Sequence, residues 1–263
     1  MKKSGAIWLL IILITSCATS SGYYRFYTPY ILKDKLIDYQ LELLPKDGEP
    51  KIYTSNNPSK DIADLETNHY AIIGESAFEG PIANLDGVKA VCKENGATIV
   101  LVYSQFLETK TIAGTLSLPT TKTSNVSGSV YGPNGTTLVN GTVTTHGTDN
   151  IPYSYQIDRY NQTAVYFAKM NRKFLFGISW LEINSEIQKS VKRNTGVYVR
   201  IVYRDTPAFA ANILPGDVII KMGNQEIRNT TEFSQTFAKY KSGDKVSMDI
   251  WRNEQVLKFR IKL

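Results

Sequence analysis

The sequence predicts a chain of mixed α+β or α/β class, with two small domains and a long polar arm or loop inserted in the first. Its 263 residues exceed the usual size of one compact domain, which favours two. Short apolar runs of strand type enclose helical runs over residues 46–173, and a second series of short period-two runs fills residues 174–263. Within the first series, residues 109–148 change abruptly to Thr, Ser and Gly.

The N-terminal segment predicts a lipoprotein signal peptide over residues 1–16. Lys2 and Lys3 precede an apolar run, Ala6 to Ile14, that is too short to span a bilayer comfortably. The run ends in Ile14-Thr15-Ser16-Cys17, which resembles the lipobox of bacterial lipoproteins. The resemblance implies that Cys17 is acylated, with palmitate among its chains, and becomes the mature N-terminus. The alternative is an ordinary signal peptide cut nearby, with Cys17 left as a free thiol.

Residues 17–45 predict a lipidated tether, because small residues are followed there by Tyr and Phe without clear periodicity. The anchor implies a place in the bacterial cell envelope. Ala18 follows the cysteine, where Asp would commonly signal retention in the inner membrane of enteric bacteria, so we expect the outer membrane, facing the periplasm. The formal charge of +6 falls to +4 once Lys2 and Lys3 are removed, which is too mild to indicate a nucleic-acid partner.

The first domain is predicted over residues 46–173. The runs KIYTS, HYAIIGESAF and TIVLVYSQF predict strands, NPSKDIADLETN a capped helix or turn, and LDGVKAVCKENGA a helix that ends at Asn95-Gly96. We expect a sheet with one helical face, in which Cys92 is a small core residue. The order of YAIIGES, GVKAVCKENGATIVLV and TAVYFAKM resembles small envelope lipoprotein domains.

The insertion at residues 109–148 contains 22 Thr, Ser or Gly among its 40 residues, with a turn at Pro133-Asn134-Gly135. Two interpretations remain open. It is either a long β-arm that reaches a partner or a flexible loop with too few apolar side chains to offset its ordering entropy. Strand character returns in QTAVYFAKM, so the insertion interrupts a sheet and does not end the domain.

The second domain, residues 174–263, alternates apolar and exposed positions at Val197, Val199 and Ile201 and turns at Pro215-Gly216-Asp217. The segments FGISWLEI, TGVYVRIVYRDTPAFAANILPGDVIIKMGNQEI and VSMDIWRNEQVLKFRIKL resemble bacterial PDZ domains of the high-temperature-requirement protease type. The resemblance implies a partly open β-barrel with two helices. It also implies a groove for a protein C-terminus or an extended peptide.

The resemblance places the groove between a strand edge at Gly196 to Ile201 and the helix TEFSQTFAKY, with a carboxylate-binding loop at Asn194 to Val197. Lys192 and Arg193 add favourable charge beside that loop. The alternative is that the helix aromatics belong only to the core. The predicted peptide-binding residues are Asn194, Thr195, Gly196, Val197, Tyr198, Val199, Ile201, Phe233, Phe237 and Tyr240.

No protease is predicted alongside this domain. The chain has two histidines, His69 and His146, and they form no His-Glu-x-x-His motif. GESAF carries Phe78 where a nucleophile elbow needs a second Gly. We therefore expect no catalytic residue, metal or cofactor, and a peptide-binding adaptor. The alternatives are a structural lipoprotein that self-associates, through the Thr-rich arm for example, and an enzyme of unrecognised type in residues 50–170.

Overall fold

The computed structural model describes residues 21–263, so the predicted signal peptide and Cys17 lie outside the described residues. The described chain divides into two compact units. We call one the body: the described residues up to Phe78, Ala83–Ser104 and Gln162–Leu263. We call the other the ribbon: Glu79–Ile82 and Gln105–Asn161. Among residues 21–263, no helix has the length and apolar character needed to cross a membrane.

The elements fall into two groups along the chain. The first group is α1 Gly22–Arg25, β1 Tyr27–Pro29, a 3₁₀ turn Lys33–Lys35, β2 Leu41–Glu42, β3 Lys51–Thr54, α2 Pro58–Thr67, β4 Tyr70–Gly80, α3 Asp86–Asn95, β5 Ile99–Gly132 and β6 Gly135–Met170. The second group is β7 Ile178–Glu182, α4 Ser185–Val191, β8 Val197–Val202, α5 Pro207–Ala210, β9 Val218–Met222, β10 Gln225–Glu226, α6 Thr230–Phe237, β11 Lys245–Arg252 and β12 Gln255–Lys262.

The first sheet has the strand order β1-β4-β6-β5-β3, with β2 paired to β6 and β3 parallel to β5. Both of its faces carry a helix. On β5, Ile99 and Leu101 pack in one cluster with side chains of α2, whereas the alternate residues Val100 and Val102 pack in another with side chains of α3. The predicted mixed class is confirmed, but the expectation of a single helical face is wrong.

The ends of the two helices follow from local chemistry. Asn57 caps α2 by accepting a hydrogen bond from the Lys60 N–H (3.4 Å), and Pro58 occupies the first helical position. The segment predicted as a capped helix or turn is therefore a helix. α3 ends at Gly96, whose φ of +80° is left-handed. Cys92 is fully buried in α3, as predicted, and burial raises the pKa of its thiol to about 12.

The tether predicted for residues 17–45 is wrong for residues 21–45, which belong to the first sheet and its core. Tyr23 and Leu36 are buried, and β1 pairs with β4. The Tyr23 ring lies edge-on against Phe78, with centroids 4.9 Å apart. The elements of this segment, such as the four residues of α1 and the three of β1, are too short to show the helix or strand period on which sequence interpretation depends.

Apart from Glu79–Ile82, the ribbon is the outer part of the β5–β6 hairpin, which turns at Pro133-Asn134. Side-chain hydrogen bonds join Thr109 to Asp158, Ser117 to Asn150 and Thr121 to His146. The two members of each pair are equally far from the turn, so the register is regular along the hairpin. Of the two interpretations left open for residues 109–148, the structure has the β-arm.

The second sheet has the strand order β12-β11-β9-β8-β7, with β10 paired to β9, and forms a curled half-barrel. Its core contains side chains of β8, β9 and β11, which alternate strictly on β11, together with Phe233 of α6. Asp217 is 1% exposed and bonds the Arg252 guanidinium at 2.6 and 2.7 Å, which ties the turn before β9 to β11. α5 and α6 match the two helices predicted, whereas α4 was not predicted.

Candidate functional site

The strand predicted to be the open edge of the second sheet lies inside it. β8 pairs with β7 on one side, Val197 facing Glu182, and with β9 on the other, Val197 facing Ile219. Val199 also donates its N–H to Asp217 O at 2.8 Å. Val197 to Val199, the middle of the predicted edge Gly196 to Ile201, are therefore bonded on both sides, and the prediction of a free edge there is wrong. Tertiary packing determines which strands are neighbours in a sheet. The alternation of apolar residues along one strand carries no information about that order.

The loop predicted to hold a carboxylate is also engaged by the protein itself. Gly196 is buried, and its N–H donates to Arg228 O at 2.9 Å. A Cβ at this glycine would lie 2.5 Å from Val218 Cγ1 and 2.9 Å from Ile219 O. Gly196 thus permits β8 to approach β9 closely. Asn194 is exposed beside residues of α4, and Thr195 O accepts a hydrogen bond from Arg193 Nε.

Among the described strands the sheet has two edges, β12 and β7, and β7, which pairs with β8 alone, is the one that lies beside α6. The Glu182 carboxylate, at the end of β7, accepts hydrogen bonds from the Thr230 N–H (3.0 Å) and hydroxyl (2.7 Å) at the start of α6. Trp180 on β7 meets Phe233 on α6 edge to face, with ring centroids 5.1 Å apart. These contacts fix β7 and α6 beside each other, with a groove between them.

A cavity of about 220 Å³ lies between β7 and α6. The predicted pair Phe233 and Phe237 lines it, with rings stacked 5.7 Å apart, and Phe176 lies 6.1 Å from Phe237. Phe233 is fully buried, so it belongs to the core and also forms the cavity wall. We call this cavity and the β7 edge the groove; its lining is Arg172, Lys173, Phe174, Leu175, Phe176, Gly177, Ile178, Trp180, Phe233 and Phe237.

The other predicted groove residues lie elsewhere. α6 ends at Phe237, so Tyr240 is beyond the helix, where its hydroxyl lies over Gly223. Asn194, Thr195, Gly196, Val197, Tyr198, Val199 and Ile201 do not line the cavity. Sequence reasoning therefore found the helix side of the groove and missed its strand and its loop.

The loop before β7 has the features of an anion site. Gly177 has a φ of +93°, and the Thr206 side chain fills the space that a Cβ would need. The carbonyls of Phe176 and Gly177 accept hydrogen bonds from the N–H groups of Ala208 and Tyr203, both at 2.9 Å.

The N–H groups on the same loop remain available. Within residues 21–263, the backbone N–H groups of Leu175, Phe176 and Gly177 donate to no acceptor. Exposed Arg172 and Lys173 add positive charge beside them. Successive free N–H groups with nearby cations can bind a carboxylate.

A local signal for this loop was present in the sequence. In FLFGIS, a glycine stands between apolar residues immediately before the alternation of Ile178 and Trp180. Gly196 had a similar position and a more basic neighbourhood. Among residues 21–263, His, Cys, Asp and Glu side chains form no group of three or more that could hold a metal ion.

Comparison with known sequences agrees with this geometry. A family model for the PDZ domain matches residues 176–263. A probable periplasmic serine endoprotease DegP-like of Buchnera aphidicola subsp. Baizongia pistaciae (strain Bp) is 32% identical over 82 residues, 30% of this chain and 18% of that protein. The probable periplasmic serine endoprotease DegP-like of Rickettsia prowazekii (strain Madrid E) is 30% identical over 89 residues, 33% of this chain and 17% of that protein.

Two solved structures are similar to part of the chain. The HtrA-type protease AlgW with decapeptide has 26% identity and a TM-score of 0.32, covering 37% of this chain and 36% of that one. The HtrA3 PDZ domain bound to a phage-derived ligand (FGRWV) has 23% identity and a TM-score of 0.30, covering 35% and 84%. The chain spans less than a fifth of the two DegP-like relatives. On the family model and these relatives, residues 176–263 are a PDZ domain similar to those of DegP-like proteases.

Proposed function

We propose that this protein is a lipid-anchored envelope adaptor whose PDZ domain captures an extended peptide that ends in a free carboxylate. The observation that carries the proposal is the unpaired edge of β7 beside the aromatic cavity of α6. An extended peptide adds a strand to such an edge, and its main-chain hydrogen bonds supply affinity while side-chain pockets supply specificity.

The groove supports a defined arrangement of the peptide. Its backbone pairs with β7, and its last side chain enters the cavity lined by Trp180, Phe233 and Phe237. The terminal carboxylate then accepts hydrogen bonds from the N–H groups of the loop at Leu175 to Gly177, with Lys173 nearby. Because the cavity wall is aromatic, we expect an apolar C-terminal residue.

The proposed location rests on the N-terminal sequence and on the PDZ relatives, whose printed names describe periplasmic proteins. Acylated Cys17 would hold the chain at a membrane, in the outer membrane facing the periplasm. Partners are then the C-termini of envelope proteins. Metabolic labelling with palmitate tests the anchor: label enters the wild-type chain and not Cys17→Ala. Equal labelling of the two chains contradicts it.

The groove is tested with the full chain and a library of fluorescein-labelled decapeptides that end in Val, Leu, Ile or Phe. We expect binding of members with a free C-terminus. Amidation of that terminus weakens binding about tenfold or more, because it removes a charge-assisted hydrogen-bond acceptor. Lys173→Glu should also weaken binding, because it replaces a positive charge near the peptide carboxylate with a negative one. Fluorescence anisotropy measures both.

The matched control is Lys192→Glu, which makes the same charge change beside the loop first predicted, Asn194 to Val197. Lys192 is exposed and pairs with exposed Glu254, so we expect unchanged affinity and stability. The proposal is overturned if no library member binds. It is also overturned if Lys192→Glu weakens binding while Lys173→Glu does not. The first outcome would favour a structural scaffold without peptide capture.

A further inference from the structure

The two faces of the ribbon differ in chemistry. Because its register is regular, β5 residues with even numbers share a face with β6 residues with odd numbers. That face, which we call the apolar face, exposes large side chains that are each 42% to 59% accessible: Leu116, Leu118, Val126, Val130, Val143 and Ile151. The opposite face is mainly Thr, Ser and Asn, apart from positions such as Tyr131 and Leu138 near the turn.

A hairpin of this kind is incomplete by itself. Isolated two-stranded hairpins are marginally stable in water, and contiguous exposed apolar surface of several hundred Å² marks an interaction site. Residues 108–132 of β5 and their partners on β6 give a surface about 80 Å long and two strands wide, or about 800 Å². That is the area each partner buries in a standard stable interface.

The charges on the apolar face identify the partner. Beyond the Glu108–Arg159 ion pair at its base, this face carries exposed Lys110, Lys122 and Asp149, and the last two lie four residues apart when measured along the ribbon. Two ribbons packed face to face and antiparallel, with Thr120 and Gly147 at the centre, bring Lys122 of each copy beside Asp149 of the other. The face is thus complementary in charge to itself.

The shape of the face supports the same register. Gly128 and Gly141, toward the turn, have open space where a Cβ would be. In the antiparallel arrangement these glycines lie opposite the bulkier Ile112 and Tyr153 of the second copy. Large side chains therefore meet small ones, as interdigitation of two sheets requires.

We propose that the ribbon binds a second copy of this chain, apolar face to apolar face and antiparallel, about a two-fold axis at Thr120 and Gly147. The interface is isologous and closed, so it makes a dimer and not a fibre. It is independent of the groove, because no ribbon residue lines that cavity. The dimer would present two PDZ domains to a bivalent partner.

Crosslinking of the full chain in the envelope of producing cells tests the proposal. Thr120→Cys places a thiol at the two-fold axis, where facing sheets are about 10 Å apart. Thr121→Cys is the matched control, because it makes the same substitution on the opposite face of the same strand. A short bismaleimide should produce a product of twice the chain mass from Thr120→Cys and little from Thr121→Cys.

Other results overturn the proposal. Equal dimer from the two variants means random collision. A Thr120→Cys product of any other mass means a different protein partner. Protection of Thr120→Cys from a water-soluble maleimide in membranes, without dimer, means that this face contacts lipid. No crosslink and no protection means that it is free.

A charge exchange tests the register. Lys122→Asp sets acidic groups against each other and should lower the dimer fraction of the purified full chain, measured by light scattering in detergent. Lys122→Asp combined with Asp149→Lys restores opposite charges and should restore the dimer. Failure of the double variant to recover, while the single variant dissociates, contradicts the antiparallel register. Unchanged mass in the single variant contradicts it as well.

Discussion

Gly177 and Gly196 have left-handed φ angles of +93° and +117°, and each stands immediately before a strand. The state of the backbone N–H distinguishes them. Gly196 N donates to Arg228 O, whereas Gly177 N donates to no acceptor within residues 21–263. An anion needs N–H groups that the fold has not already used. Gly196 is therefore a packing residue, and Gly177 is suited to a binding loop.

This assignment predicts that Gly196 is sensitive to a single methyl group. Gly196→Ala should lower the free energy of unfolding by about 3 kcal/mol, because backbone strain and overpacking against Val218 and Ile219 each cost about 1–3 kcal/mol. Urea unfolding of the full chain at neutral pH measures the change.

Gly216→Ala is the control, because it introduces backbone strain without overpacking. Gly216 also has a positive φ, +95°, but nothing lies within 4 Å of its Cβ position. Strain then costs about 1–2 kcal/mol. Equal losses in the two variants would show that β8 and β9 have room at Gly196, and the loop from Asn194 to Val197 would again be a candidate for ligand binding.

The elements show which parts of the fold can be read from sequence. Elements that carried their own period, caps or turns, such as α2, α3, β4 and β8, lie where the pattern placed them. α4 was missed, although Asn184 caps it by accepting hydrogen bonds from the N–H groups of Glu186 and Ile187. Its seven residues are too few for a clear periodic signal.

Neighbour relations between elements were harder to obtain. β7 and β8 have similar alternation, and only the hydrogen-bond ladder shows that β8 is covered on both sides. Phe233 and Phe237 were correctly predicted to line the groove because both lie on one face of α6, and the residues of a helix face can be identified from their spacing in the sequence. The strand and loop of the groove depend on long-range pairing, for which one sequence without aligned relatives carries no direct signal.

At the scale of the body, the first sheet and the PDZ domain are joined by specific contacts. Arg200 on β8 forms an ion pair with Glu66 on α2 at 2.8 Å, and Glu66 is 13% exposed. Arg204 N donates to Thr67 O at 3.0 Å. Ile201 and Tyr203 are buried in the same cluster as the core of the first sheet. The two parts are therefore expected to behave as one cooperative structure.

His69 lies at the centre of this junction. Its Nε2 is 2.7 Å from Arg204 O and must be the donor, because a carbonyl only accepts. Its ring lies 5.7 Å from Tyr203 and 5.4 Å from Phe174, which stack on each other at 4.3 Å. Phe174 also lines the groove, so the junction supports one wall of the binding site.

His69→Asn tests the junction. Asn tolerates the left-handed φ of +69° but lacks the ring, so the backbone is kept and the contacts are lost. We expect a loss of about 1–3 kcal/mol, the cost of a broken hydrogen bond and reduced packing at a half-buried site. Of the three Trp residues, Trp8 lies in the predicted signal peptide and Trp180 and Trp251 lie in the PDZ domain, so the fluorescence of the processed chain follows that domain while far-UV circular dichroism follows the whole chain. In urea, the two transitions should coincide for the wild type and separate for His69→Asn.

His146→Asn, at the exposed other histidine, should change stability by less than about 0.5 kcal/mol and keep the transitions together. Separate transitions in the wild type would mean that the two parts unfold independently, and the contacts around His69 would then be too weak to position Phe174 for the groove.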